Sequence, residues 1–442
     1  MILDTHLQDL ETENLIGDDA LISTMLNVEA ALARVQGRLG IIPKKAATQI
    51  DKVAKTLKGD AALLSKAVMR DGVPINALLT RLSETISPNY RDHIHWGTTS
   101  QDIVDTAMML MIKNTTALFE QRLSHTVNEL AVLADSHRNT VLAARTRNQH
   151  AVPTTLGLKI AGWIAPLQRY HKRLAHLEYH LQFGGAGGTL AALGPKGLDV
   201  AGALAAALEL SLPPLPWHSQ RDFILEIANW LTGVSGSLGK MAGDILMLAQ
   251  TEVGEARLLS AGGSSAMPQK NNPILAEVVP ALARRNAGLL STMHQSALHH
   301  HERDGTAWTL EWVTLPDMIR TTGASLLHGL AITQTIEVDK AAMNNNLTPG
   351  LLAEAATYAL AAFVPKTEAQ LLVKSAIHAA SETDDKKKDF LEILASNSTH
   401  PINWEALRDP TNYLGAAQTS KSQNSQEKRP KSLHVWLKRV EK

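Results

Sequence analysis

The spacing of apolar residues along the chain predicts a largely helical protein. Residues 98–152 contain neither Gly nor Pro, and apolar side chains such as Phe119, Leu123 and Val127 recur every three or four positions. This is the period of an amphipathic helix, and no segment shows the sustained alternation that is typical of a strand. Similar patterns occur in three further segments: 166–182, 222–259 and 274–303, the last with an expected kink at Pro280.

The length of these patterns indicates how the domains are arranged. Helical segments well beyond the mean of ~11 residues are typical of a long bundle. We therefore predict an all-α, three-domain fold, in which a long central helical bundle at 106–345 is flanked by helical domains at 1–105 and 346–417. Residues 418–442 change to Ser, Gln, Asn, Lys and Arg before an apolar patch around Trp436, which predicts a polar linker and a short terminal helix. Docking to the chain itself and binding of a partner both remain open for this tail.

Composition narrows the classes of function. The 43 basic residues balance the 43 acidic ones, so no overall charge attracts nucleic acid or a membrane surface. The absence of Cys excludes disulfides and thiolate chemistry and favours the cytoplasm. Acidic residues near the N-terminus argue against a secretory signal, and no apolar stretch approaches the ~20 residues that span a bilayer. We expect a cytoplasmic protein with neither a nucleic-acid nor a membrane partner.

Residues 262–273, with the sequence GGSSAMPQKNNP, form the most informative segment. Glycines on one side give freedom to carry Ser264 over a substrate, and prolines stiffen the other side. Lys270 and Asn272 offer a cation and an amide donor, which suit negative charge developing on an oxygen. Because a plain linker has no need of this ordered run, the pattern favours a mobile catalytic loop.

This loop resembles the signature loop of the fumarase/aspartase superfamily. Further similarity is distributed along the chain, in the segments 25–43, 95–107, 149–163, 181–190, 216–222, 250–255 and 409–416. The resemblance implies the same three-part helical architecture, with long central helices that associate into a homotetramer. It also implies active sites that are each assembled from three subunits, and a reaction that needs no cofactor.

Within the superfamily, these segments most resemble the cycloisomerase branch. The implied reaction is that of an intramolecular lyase, in which a small tricarboxylate closes into a lactone by adding its own carboxylate oxygen across a double bond, in aromatic catabolism. Such chemistry moves a proton at a carbon next to a carboxylate, so donors must stabilise the extra charge on that carboxylate. The alternatives are another lyase of the superfamily, such as one that acts on adenylosuccinate, and a catalytically silent homologue.

The resemblance assigns the proton transfer to Ser264, with Ser265 as the alternative. A serine hydroxyl is a weak acid, so its anion would depend on nearby amides and on Lys270. Several relatives carry His where this chain has Arg147, and this departure weighs against a nucleotide lyase. It leaves His150 as the best local candidate for the second acid/base group.

Substrate binding is expected where the long helix begins. Ser100 is a candidate N-cap, and Thr99 and Ser100 together should bind a substrate carboxylate through hydroxyls and free amides. The resemblance and the charge pattern add six further binding candidates: His95, Arg145, Gln149, Lys270, Asn272 and Arg303. The adjacent histidines at 299–301 would point ~100° apart on a helix, so we predict no metal site.

Overall fold

The computed structural model describes residues 2–259, 262–263, 266–382 and 389–417. These residues are mostly helical, which confirms the predicted all-α fold class. In chain order the α-helices of the described residues are α1 Leu10–Ile16, α2 Asp18–Leu39, α3 Lys44–Thr56, α4 Ala61–Asp71, α5 Ile75–Thr85, α6 Ser100–Ser136, α7 Leu156–Leu174, α8 Gly197–Leu208, α9 Asp222–Leu248, α10 Ile274–Ser296, α11 Gly305–Thr335, α12 Lys340–Asn345, α13 Ala353–Leu360, α14 Lys366–Glu382, α15 Phe390–Asn397 and α16 Trp404–Arg408. The predicted linker and terminal helix at 418–442 lie outside the described residues.

Of the three long helices, α6, α9 and α11, the first two lie in periodic segments of the sequence, and α11 lies outside the predicted segments. They contain 37, 27 and 31 residues. On α6, Phe119 and Leu123 are fully buried, as their spacing predicts. Helix α10 continues through Pro280 and ends at Ser296, before the predicted limit of 303.

The stretch at 98–152 is only partly helical, and the expectation of no strands is wrong there. Helix α6 ends at Ser136, and strands β1 Val141–Thr146 and β2 Gln149–Thr155 form an antiparallel hairpin. The two turn residues, Arg147 and Asn148, have φ of 51° and 63°. This is the geometry of a tight hairpin turn, which usually contains Gly, so a Gly-free sequence gave no turn signal.

Short strands also occur in the second half of the chain. Strand β3 Ala256–Leu258 pairs with β6 Ile336–Val338, and β4 Gly262–Gly263 pairs with β5 Asn271–Asn272. Both pairs are antiparallel. The second pair closes the base of the signature loop.

Contacts divide the chain into two compact units, each built from three segments. The first unit contains the described residues of 1–124, 170–239 and 278–328, and the second contains those of 125–169, 240–277 and 329–442. In the first, α2 packs against α3 and α8 around buried side chains such as Met25 and Leu32. In the second, α13, α14 and α15 enclose a smaller apolar cluster. The three domains predicted from the sequence stay a prediction.

One segment, Ala191–Leu208, is long and apolar enough to cross a membrane by length and composition alone. It is not a continuous helix, because Gly194 has φ 55° and ψ −139°. Val200 and Leu204 of α8 are buried in the core of the first unit. These features are typical of a core helix.

Candidate functional site

In the first unit, a polar segment leads into the long helix α6. The backbone amide of Thr99 and the hydroxyl of Thr98 both donate to Asp102 Oδ2, each at 3.1 Å. In a capping box, the side chain of the third helical residue accepts from the backbone amide of the N-cap residue, and Asp102 makes this half of the motif. Thr99 is therefore the N-cap and Ser100 the first helical residue, so the predicted N-cap is displaced by one position.

Asp102 connects this helix start to two other segments of the first unit. It is fully buried, and its carboxylate also accepts from the backbone amides of Gly184 and Gly185, each at 2.9 Å. His218 Nε2 lies 2.8 Å from Asp102 Oδ1. A buried carboxylate with this many donors fixes the position of every segment that donates to it.

The glycine-rich segment 184–188 serves close packing here. A Cβ on Gly184 would lie 2.7 Å from a carbon of Pro216 and 2.9 Å from one of His218, and Gly185 has φ 68°. Gly184 thus allows close approach of neighbouring side chains and Gly185 a left-handed backbone, whereas a Cβ on Gly187 or Gly188 would meet nothing within 4 Å.

His95 faces a carboxylate that sequence reasoning did not single out. Its Nδ1 lies 2.5 Å from Oε1 of Glu29, a residue of α2 that is 1% exposed. Burial alone would lower the pKa of His95, but the charge and hydrogen bond of Glu29, together with the charge of Asp102, raise the pKa above its ordinary value. His95 is therefore biased toward the cation.

Two of the predicted binding residues, Arg303 and Thr99, are in contact. Its Nη1 donates to the hydroxyl oxygen of Thr99 at 2.8 Å, and its side chain is otherwise exposed. Thr99, as the N-cap, stands beside the free amides of the first turn of α6. A guanidinium beside a helix N-terminus is an arrangement that binds anions, and carboxylates in particular.

Of the adjacent histidines at 299–301, His300 contacts a carboxylate. His300 Nδ1 lies 2.8 Å from Asp304 Oδ2, and the other oxygen of Asp304 caps the start of α11. Within the described ranges, no three metal-ligating side chains converge.

In the second unit, the hairpin carries three predicted site residues. Arg145 makes two hydrogen bonds to Glu255, at 2.7 and 2.9 Å, and Asn346 donates to the same carboxylate at 2.8 Å. Glu255 is fully buried. The pairing anchors strand β1, so the charge of Arg145 is largely matched within the chain.

His150 and Gln149 begin strand β2, and both are exposed in the single chain. His150 is directly opposite Arg145 in the hairpin register. Side chains that are opposite in a hairpin share a face, and successive side chains alternate. His150 is thus on the face of Arg145, while Gln149 is on the other.

The signature loop is described only in part. Gly262 pairs with Asn272 across the loop base. Lys270 is exposed, and its backbone amide donates to Met267 at 3.0 Å. The predicted catalytic Ser264 and its alternative Ser265 lie outside the described residues.

Three buried acidic residues were missed by sequence reasoning: Glu29, Asp102 and Glu255. One signal was present, because Glu29 interrupts a run of apolar residues in α2 that extends from Val28 to Ala33. A carboxylate at a core position needs a partner, although the sequence does not say which.

Comparison with known proteins decides the family. A family model described as lyase matches residues 6–288. The chain belongs to this lyase family, within the fumarase/aspartase superfamily. The resemblance of the signature loop is thereby confirmed, and with it the expectation of an enzyme.

Individual members of the family are similar over nearly the whole chain. The 3-carboxy-cis,cis-muconate cycloisomerase of Bradyrhizobium diazoefficiens is 40% identical over 91% of this chain and 92% of its own length. The trans-aconitate decarboxylase 1 of Mycosarcoma maydis is 36% identical over 90% and 83%. The crystal structure of 3-carboxy-cis,cis-muconate lactonizing enzyme from Pseudomonas putida is 34% identical, with a TM-score of 0.88 over 99% of this chain and 98% of that one.

Proposed function

We propose that this lyase-family chain is a 3-carboxy-cis,cis-muconate cycloisomerase. The reaction closes a tricarboxylate to a carboxymuconolactone by forming a bond between one of its carboxylate oxygens and an alkene carbon. The similarity in sequence and structure to muconate cycloisomerases over nearly the whole chain supports this substrate.

The observation that carries the proposal is the cationic start of α6. Arg303 donates to Thr99 at the helix N-cap, and His95, a few residues earlier, is biased toward its protonated form. Two positive groups beside free helix amides suit a substrate with several carboxylates. Thr99 and Ser100 bind one carboxylate in this account, with Arg303 and His95 supplying charge.

The chemistry is assigned to the signature loop and the hairpin. Oxygen addition leaves negative charge at the neighbouring carbon, spread into its carboxylate, and Lys270 and Asn272 stabilise that charge. Ser264 delivers the proton to the carbon, and His150 returns a proton to Ser264 between turnovers. Closure of the loop excludes water and strengthens these contacts.

Arg145 and Gln149 complete the proposed binding set. Gln149 contacts substrate directly as an amide donor. Arg145, held by Glu255, keeps the hairpin in place and presents its remaining donor capacity to a carboxylate.

The cellular setting follows from the same assignment. The enzyme acts in the cytoplasm, in protocatechuate degradation through the β-ketoadipate pathway, as a homotetramer with shared active sites and without a cofactor. Neither nucleic acid nor membrane is a partner.

An absorbance assay tests the proposal, because the substrate is a conjugated diene and the lactone is not. Purified enzyme should remove the diene absorbance of 3-carboxy-cis,cis-muconate rapidly, without release of fumarate or CO₂. Absence of turnover with this compound would reject the assignment.

A second candidate is a different reaction of the same family. The 36% identity to a trans-aconitate decarboxylase favours testing trans-aconitate, which is also a tricarboxylate. Adenylosuccinate represents the fumarate-forming lyases. Release of CO₂ from the former, or of fumarate from the latter, at a higher kcat/KM would replace the cycloisomerase.

A further inference from the structure

The pair formed by Glu29 and His95 has features that packing alone does not require. Glu29 is 1% exposed on the apolar face of α2, and burying a carboxylate is costly unless it is paired. Its partner His95 has φ 57°, a left-handed conformation that costs a non-glycine residue free energy. A functional role would account for both costs, if the pair holds the imidazole in the position that substrate binding requires.

The loop that carries His95 has a separate anchor to the same helix. The side chain of Gln36, also on α2, donates to the backbone oxygen of Trp96 at 2.7 Å. The loop is therefore held without Glu29. What Glu29 adds is a negative charge 2.5 Å from His95 Nδ1.

We infer that Glu29 is a positioning residue: by accepting a hydrogen bond from His95 Nδ1, it orients the ring and keeps it cationic, so that Nε2 donates to a carboxylate of the substrate. With Nδ1 committed to Glu29, Nε2 is the nitrogen that remains for substrate. The inference rests on the proposed function for the identity of that substrate.

The charges around His95 favour the cation. Glu29 faces it from α2, and Asp102 acts on it from the start of α6. Both charges raise the pKa of His95 against the opposing effect of burial. Removing the charge of Glu29 while keeping its shape should therefore lower this pKa.

The test compares Glu29→Gln, Glu29→Asp and Glu178→Gln in the full-length enzyme. The last is a control, because it removes one charge from another Glu–His pair. In that pair, Glu178 Oε2 lies 3.4 Å from His180 Nε2. The pKa of His95 is read from the pH dependence of hydrogen–deuterium exchange at the imidazole carbon, by peptide mass spectrometry. Unfolding temperatures are recorded for every variant.

We expect Glu29→Gln to lower the pKa of His95, because it removes the charge that opposes the effect of burial. The kcat/KM at pH 7.5 should fall roughly tenfold or more, with a smaller loss at lower pH, where a larger fraction of the variant's ring is protonated. In Glu29→Asp the pKa of His95 should stay close to that of the parent, because a carboxylate is kept. Glu178→Gln should change neither the pKa of His95 nor kcat/KM.

Two results would overturn the inference. One is an unchanged pKa of His95 in Glu29→Gln, and the other is a lowered pKa with unchanged kcat/KM. If the parent enzyme does not turn over the muconate, the proposed function fails by itself, and the exchange experiment still decides whether Glu29 controls His95.

Discussion

At the scale of single residues, the two adjacent serines of the signature loop allow a matched comparison. Ser264→Ala should lower kcat by ~10³-fold or more, because a proton-transfer group is removed while packing is hardly changed. Ser265→Ala removes the same atom one position later and should retain most of the activity. Steady-state kinetics and far-ultraviolet circular dichroism decide between a chemical and a folding defect. Activity of Ser264→Ala close to that of the parent would move the assignment to another residue.

His180 predicts a pH dependence of stability. Burial, in contact with the ring of Phe223, lowers the pKa of His180 below its ordinary value, although nearby carboxylates oppose this. The unfolded chain then binds the proton more readily, so this stabilisation is present above the unfolded pKa of about 6.5 and is lost as pH falls toward the folded value.

The urea midpoint should therefore fall between pH 7.5 and 5.5, and His180→Gln should reduce that fall. His176→Gln, which removes an exposed imidazole from the same segment, should behave like the parent. An equal pH dependence in His180→Gln and the parent would contradict the role of burial.

Residue-level prediction from the sequence reached the groups that carry motifs, but not their partners. Thr99 and Arg303 are 204 positions apart, and the structure brings these two candidates into contact at 2.8 Å. Glu29, Asp102 and Glu255 were missed because a carboxylate's value to a site depends on which donors the fold brings to it. Sequence spacing cannot supply that information.

At the scale of elements, the hairpin turn is strained by its sequence. Arg147 has φ 51°, a conformation that Asn adopts more readily than Arg. Arg147→Asn should therefore stabilise the folded protein by about 0.5 kcal/mol. Arg147→Ala is the control at the same site, since it removes the guanidinium but keeps a Cβ without an amide, and it should give no gain.

Urea denaturation measures both changes. A loss of stability in Arg147→Asn would show that the guanidinium contributes more than the turn geometry costs. If kcat/KM falls equally in both variants, Arg147 also supplies charge to the substrate.

The long helices α6 and α9 were predicted because their apolar period persists over many turns, whereas α11 lies outside the predicted segments. The hairpin was missed because its turn contains Arg147 and Asn148 in place of Gly, and because burial does not alternate regularly along either strand. Helix ends were misplaced where capping depends on a tertiary partner. Asp102, for example, caps α6 while also bonding Gly184.

At the scale of the whole molecule, the proposed homotetramer makes a prediction about mixtures. If each active site takes residues from different subunits, inactive Ser264→Ala and His95→Gln chains should restore activity when they are co-expressed and assembled together. Tandem purification through two tags isolates the mixed tetramers. Activity no higher than that of the separate variants would argue that each chain carries a complete site.

The central claim is that the enzyme adds a carboxylate oxygen and a solvent proton across one double bond. The most direct measurement is proton NMR of 3-carboxy-cis,cis-muconate with the enzyme in D₂O. The account predicts a carboxymuconolactone with a single deuterium at the carbon next to a carboxylate, because the proton donor exchanges with solvent. A product that has lost CO₂, a product that contains fumarate, or an unchanged diene would contradict it.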